Sequence, residues 1–327
     1  MGVHVHLEAV APAPVALYRL IRHNMDSSDL VAASIAITSY RRKSPGLGGL
    51  SLRTNELICD NLDDEAVSKP AEQFILSSKM NEWDRDSTIS ILDYFQDPMI
   101  TAYGKLDQDG FNEGESFALA SSNTPQMQLD EAIKRRRSVR RYTGDPIDQS
   151  DLSSLLRYSS GITGKANVAR SDGNEEVYYY RAVSSGGGLY PVEVYVAVKK
   201  VKGLPSGIYR YSPRNDALVV SGGEDDVSGL MAGLSVSDDQ LNIDGASVVF
   251  ILVGVPWRSM RKYGSRGLRF VFHEVGAISE NIQLVSAALG IGATDCSSYY
   301  DDVVNQALGL DGQHKFVADL VIAGIPA

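Results

Sequence analysis

Residues 247–255 and 317–324 are near-continuous runs of aliphatic and β-branched residues. Between them, 268–289 has helical periodicity and is closed by Gly290 and Gly292. A strand that is apolar at every position must be covered on both faces, and a long helix next to it in sequence supplies one of those covers. Further strands are predicted over 177–183 and 192–198, where β-branched and aromatic residues concentrate. Helices are predicted over 129–137 and 148–158, the second placing Leu152, Leu155 and Leu156 on one face. Strands interleaved with helices in this way give an α/β or α+β sandwich. No internal repeat is visible.

Charge and cysteine content narrow the function. The 327 residues include 41 acidic against 31 basic, a net charge of -10, so phosphate-rich polymers and anionic membranes would repel the chain. Two cysteines, Cys59 and Cys296, exclude a disulfide framework and any cysteine-based zinc or iron–sulfur cluster. No apolar run approaches the ~20 residues of a membrane span, and the N-terminus has no export signal. The expectation is a cytoplasmic protein with no nucleic-acid or membrane partner and no metal. Residues 1–127 hold 18 of the acidic but only 10 of the basic residues. Short helices are predicted there over 15–21, 30–37 and 63–79, the last interrupted by Pro70. Residues 107–125, rich in Asp, Gly, Asn, Ser and Glu, read as a linker. The expected organisation is an N-terminal region, 1–125, followed by a domain over 126–327.

Three constellations within that domain carry candidate chemistry. Lys134-Arg-Arg-Arg-Ser-Val-Arg-Arg141 packs six cations into eight residues of an acidic chain. Guanidinium forks and the Ser138 hydroxyl suit a phosphate; a solvated helix end is the competing reading. Ser184-Ser-Gly-Gly-Gly-Leu-Tyr-Pro191 follows a predicted strand, and its three glycines allow close backbone approach to a ligand. It is neither a Walker loop nor a dinucleotide fingerprint, because a strand follows it. Taken alone it reads as a hairpin loop. Arg261-Lys-Tyr-Gly-Ser-Arg-Gly-Leu-Arg269 offers an adjacent Lys262–Tyr263 pair. For either to act as a base near neutrality, burial or neighbouring charge must lower a pKa of about 10. His273-Glu274 lacks the second histidine of a zinc helix, and Cys296 has no assignable histidine partner.

In order and wording these motifs resemble the flavin-dependent nitroreductase superfamily. The likeness is greatest to its azoline dehydrogenase branch, the SagB/McbC-type oxidases of thiazole- and oxazole-containing peptides. The resemblance covers roughly 127–325 and rests on Ala132 to Tyr142, Ser184 to Val196, Gly207-Ile-Tyr-Arg-Tyr211, Lys262 to Arg269, and Leu289-Gly-Ile-Gly-Ala293. The Leu-Tyr-Pro-Val-Glu and Lys-Tyr-Gly-x-Arg-Gly wording marks the azoline branch. Pro213-Arg-Asn-Asp-Ala departs from the family, which usually carries a histidine there.

The resemblance implies an α+β fold, a central antiparallel or mixed sheet flanked by helices, forming a homodimer with FMN at the interface. Arg136, Arg137, Ser138 and Arg140 would hold the FMN phosphate and ribityl chain. Ser184, Ser185, Gly186, Gly187, Leu189 and Tyr190 would line the flavin ring, and the backbone of Gly292 and Ala293 would face its hydride-accepting nitrogen. Lys262 and Tyr263 become the catalytic candidates for oxidising a thiazoline or oxazoline in a precursor peptide, with dioxygen reoxidising the flavin. The partners implied are that peptide and a cyclodehydratase complex, which the acidic first 125 residues would help to dock. The alternatives are an NAD(P)H-dependent nitro- or quinone reductase on the same fold, and a catalytically silent flavin-binding scaffold.

Overall fold

The computed structural model describes residues 74, 75, 77–79, 90, 91, 94, 114–169 and 175–327. The helices expected over 15–21 and 30–37, most of 63–79, and Cys59 lie outside those residues. The chain divides into two units, Met1–Leu92 with Tyr263–Arg266, and Asp93–Lys262 with Gly267–Ala327. In the first, the Arg266 guanidinium donates to the Ser78 carbonyl at 3.4 Å. The second carries the sheet.

Its strands are β1 (Ser116–Ala118), β2 (Ile162–Ala169), β3 (Glu175–Arg181), β4 (Val192–Val198), β5 (Gly207–Ser212), β6 (Ala217–Gly222), β7 (Val248–Gly254), β8 (Gly292–Asp295) and β9 (Phe316–Gly324). Its helices are α1 (Leu129–Arg135), α2 (Gln149–Ser160), α3 (Glu224–Ala232), α4 (Pro256–Tyr263), α5 (Gly267–Leu289) and α6 (Asp301–Ala307). Seven strands form one sheet in the order β1-β6-β5-β4-β7-β9-β8, every pairing antiparallel, while β2 and β3 form a separate ribbon.

The apolar run at 247–255 is explained by its place in this sheet. Along β7, Val248, Phe250 and Leu252 face a core shared with α2 and α5, while Val249, Ile251 and Val253 face a second core under α3 and α6. The strand is buried at all seven positions because helices cover both faces. Leu152, Leu155 and Leu156 do point into the first core. Helix α5 stops where Gly290 takes a φ of 74°, the left-handed turn that glycine accepts without a Cβ penalty.

Two expectations are corrected. β1 lies within the stretch read as a linker, and its backbone pairs with β6. The 184–190 segment is not a hairpin loop: β3 pairs with β2, while β4 pairs with β5 and β7, so the segment passes from the ribbon to the main sheet.

Candidate active site

The basic stretch splits by secondary structure. Lys134 and Arg135 lie in the last turn of α1 and pair with Asp130 and Glu131 one turn earlier, a solvated arrangement worth little. After α1 the chain runs extended beside β8. Ser138 bridges Ala293, and the Val139 amide donates to the Ala293 carbonyl at 3.0 Å. Gly292 is required by this approach, since a Cβ there would lie 2.6 Å from Val139 Cγ1. Tyr142, buried, sets its hydroxyl 2.7 Å from the Val139 carbonyl and 3.0 Å from that of Ile322. Arg141 is spent on the carbonyls of Asp238 and Asp239.

That leaves Arg136, Arg137, Ser138 and Arg140. Arg136 donates to the Gln283 side chain of α5 at 3.1 Å, and Gln283 in turn donates to Asp295 at 2.8 Å. Arg137 and Arg140 are exposed and, among the described residues, hydrogen-bond only nearby backbone carbonyls. None of the three guanidinium groups has a carboxylate partner among the described residues. Three forks and a hydroxyl on one extended strand match the donor set of a phosphate monoester such as that of FMN. The fold therefore brings the candidates at 136–140 and at 292–293 together.

The 184–190 candidates gather at the other end of α5. Gly186 lies against Phe270, where a Cβ would come within 3.0 Å of the ring. Gly187, Gly188 and Tyr190 have φ values of 69°, 66° and 45°; the first two suit glycine, and the third strains a tyrosine. Tyr190 is held there on four sides. Its amide donates to the Ser185 hydroxyl at 2.9 Å, and its carbonyl accepts from Arg258 at 3.2 Å. Its own hydroxyl accepts from the Arg181 amide, and the Arg181 guanidinium stacks 4.4 Å over its ring. Leu189 and Tyr190 are buried in the wall; Ser184, Gly187 and Gly188 are the exposed members of the segment.

Helix α4 buries cations, which is rare without partners. Arg258 pairs with Glu193 of β4, and Lys315 joins the same carboxylate at 3.2 Å. Burial works against the Glu193 charge, but the charge and hydrogen bonds of Arg258 and Lys315 overcome it and hold the pKa down to about 2. Lys262 follows Arg258 by one helical turn, so both lie on one face of α4. Lys262 is 7% exposed, its ammonium stands 5.0 Å from the Tyr94 ring, and burial lowers its pKa. Tyr263 is half-buried at the end of α4.

Sequence reasoning missed Glu193 and Glu274. Glu274 was set aside with His273, which is exposed. Glu274 is 1% exposed and accepts from the Val192 amide at 3.3 Å, and the nearby Ser185 hydroxyl works to lower its pKa. Burial pushes its pKa up to about 7 against those two groups and the charges of Arg181 and Arg258. The only available signal was a lone glutamate on an otherwise apolar helix stripe. Cys296 is buried, and burial raises its pKa, which disfavours a thiolate nucleophile. No group of three or more metal-ligating side chains is found among the described residues, nor any helix long and apolar enough to cross a membrane.

The Nitroreductase family profile matches residues 133–325, which spans the basic segment, the glycine segment, α4, α5 and β8. The chain belongs to the nitroreductase family. A Methanocaldococcus jannaschii protein named as a nitroreductase is 29% identical over 195 residues, 60% of this chain and 91% of that one. The microcin B17-processing protein McbC of Escherichia coli is 27% identical over 147 residues, 43% of this chain and 52% of McbC. The trifolitoxin-processing protein TfxB of Rhizobium leguminosarum is 27% identical over 165 residues, 49% of this chain and 42% of TfxB. The chain thus matches about half the length of those two peptide-processing proteins. Among solved structures, a chain of the E. coli microcin synthetase McbBCD complex with truncated pro-MccB17 bound superposes with a TM-score of 0.50. That alignment has 17% identity and covers 84% of this chain and 98% of that one. A Ralstonia eutropha protein named as a nitroreductase also gives 0.50, covering 67% of this chain and 92% of that one at 22% identity. At these identities the superpositions speak for the nitroreductase fold alone.

Proposed function

We propose that this nitroreductase-family chain is an FMN-dependent oxidase of peptide thiazolines and oxazolines. It would act as a homodimer alongside a cyclodehydratase that supplies the azoline ring, with the N-terminal region, 1–125, serving peptide or partner docking. Two peptide-processing relatives support the substrate class. The observation that carries the reading is the placement of a buried, pKa-lowered Lys262 one turn beyond Arg258, the residue that grips the Tyr190 carbonyl.

Aromatising an azoline removes one proton and one hydride from adjacent ring carbons. Arg136, Arg137, Ser138 and Arg140 would hold the FMN phosphate. Bound FMN supplies the acceptor for the hydride. The protein's own part is position and proton removal. Lys262, with its neutral form favoured by burial, takes the proton alpha to the peptide carbonyl, and Tyr263 beside it assists. The 184–190 segment walls the site and excludes water. Lys262→Met and Tyr263→Phe are each expected to lose peptide oxidation while the purified protein keeps its FMN absorbance. Loss of flavin from both variants would show instead that the pair serves folding or cofactor retention.

A second reading is an NAD(P)H-dependent nitro- or quinone reductase. It is favoured by the archaeal relative named as a nitroreductase, of which the match covers 91%. This reading gives Lys262 no role in turnover, so the Lys262→Met variant separates the two.

A further inference from the structure

The two glutamates on either side of Arg258 live in opposite environments. Glu193 receives Arg258 and Lys315. Glu274 has no direct ion pair among the described residues, and its Oε2 is buried with no hydrogen-bond partner there. Part of what lies against Glu274 is the 184–190 segment. Phe270, one helical turn before Glu274 on the same face of α5, packs on Gly186. The Ser185 hydroxyl, which works to lower the Glu274 pKa, receives the Tyr190 amide, and the first residue of β4 donates to Glu274 Oε1.

We propose that Glu274 is a positioning residue for the 184–190 segment, which seats on it as the neutral acid and loosens when it ionises. The physical reason is the orphaned oxygen. Burying a neutral carboxyl with one unpaired oxygen costs less than burying a carboxylate with one oxygen bare. The segment is the part of the cover that can move, because it is a glycine-rich connection rather than a paired strand.

The charged and titratable groups facing the carboxyl are Arg181 at the end of β3 and Arg258 of α4, with Tyr190 of the segment beneath Arg181. The charges of Arg181 and Arg258 both work to lower the Glu274 pKa, but burial outweighs them. The balance leaves the carboxyl titrating near neutrality. Opening the segment would return it to an ordinary carboxylate range. By linkage, ionisation then favours the open form, and the segment loosens as pH rises from about 4.5 to about 7, with little further change above. This inference stands whether or not the segment lines a flavin.

The test is amide hydrogen exchange of the full chain without added ligand, from pH 5.5 to 8.5, with rates corrected for the intrinsic pH dependence of exchange. Peptides covering 185–190 are expected to lose protection about tenfold or more between pH 5.5 and about 7 and to level off above, while peptides from β7 keep theirs. Glu274→Gln keeps the acceptor for the Val192 amide and cannot ionise, so its segment should stay protected at every pH. Ser185→Ala removes the tie without touching the titrating group, so its segment should be less protected even at pH 5.5. A pH step that persists in Glu274→Gln would overturn the proposal. So would a wild-type profile with no step while β7 remains protected.

Discussion

The Glu193–Arg258 pair gives the sharpest stability prediction, because two routes to its size agree. Arg258 is 1% exposed and has Glu193 as its carboxylate partner, with Tyr190 as its backbone acceptor. Replacing Glu193 by Gln leaves a buried guanidinium facing a neutral amide, a change that costs about 3–5 kcal/mol in comparable buried pairs. The titration of Glu193 gives a second figure. A folded pKa of about 2 against 4.5 for the unstructured group corresponds to about 3 kcal/mol at 1.36 kcal/mol per unit. Because the folded value is depressed, that stability is complete above about pH 4.5 and is lost as pH falls through 2. Urea unfolding at pH 7 should show Glu193→Gln about 3 kcal/mol less stable than wild type, with the difference closing in acid. Lys315→Met, removing the half-exposed partner, should cost about 1 kcal/mol or less. A Glu193→Gln loss below about 1 kcal/mol, with the wild-type acid limb unchanged, would mean that the pair behaves as a solvated one and does not hold α4 against β4.

Other outcomes follow from the same geometry. Arg136→Gln with Arg140→Gln should weaken FMN binding at least about tenfold while leaving riboflavin binding unchanged, as a fluorescence-quenching titration would show; equal losses for both flavins would remove the phosphate assignment. Gly292→Ala forces a Cβ into Val139 and should lower stability by about 1–3 kcal/mol and weaken FMN binding with it. The folded pKa of Glu274 is raised, so its burial takes stability away as pH rises from 4.5 towards 7. Glu274→Gln should therefore unfold at a higher temperature than wild type at pH 8 and at about the same temperature at pH 4.5.

Where hydrophobic pattern decides structure, the sequence was readable. The all-apolar run of β7 needs two covers, and the periodic stretch of α5 provides one, so the layered core follows from those residues. The ends of β4 and of α5 fell where expected because Pro191 and Gly290 punctuate them. β1 escaped because Ser116, Phe117 and Ala118 sit among turn-forming residues, and only the free edge of β6 makes a strand of them. The ribbon partner of β3 escaped for the same reason: Gly164, Lys165 and Asn167 carry no strand preference, and pairing alone extends them. At the site, the basic cluster pointed to an anion, but not to which cations face it. The i,i+4 acids Asp130 and Glu131 neutralise Lys134 and Arg135, and that depends on where α1 ends. Lys262 and Tyr263 were singled out by their motif, whereas the lowered pKa of Lys262 comes from burial, which no local pattern encodes. Glu193, legible only as part of the Leu-Tyr-Pro-Val-Glu wording, and Glu274 were given no role for a related reason, since their roles arise from Arg258, Lys315, Arg181 and Ser185, brought to them by the fold.

The central claim is tested most directly by mixing the FMN-loaded protein anaerobically with a thiazoline-containing peptide, and separately with NADPH. The flavin absorbance band is followed and the peptide weighed by mass spectrometry. The account predicts bleaching by the peptide, with a thiazole product about two mass units lighter from the lost proton and hydride. Bleaching by NADPH alone, with the peptide mass unchanged, would contradict it and make the chain a reductase.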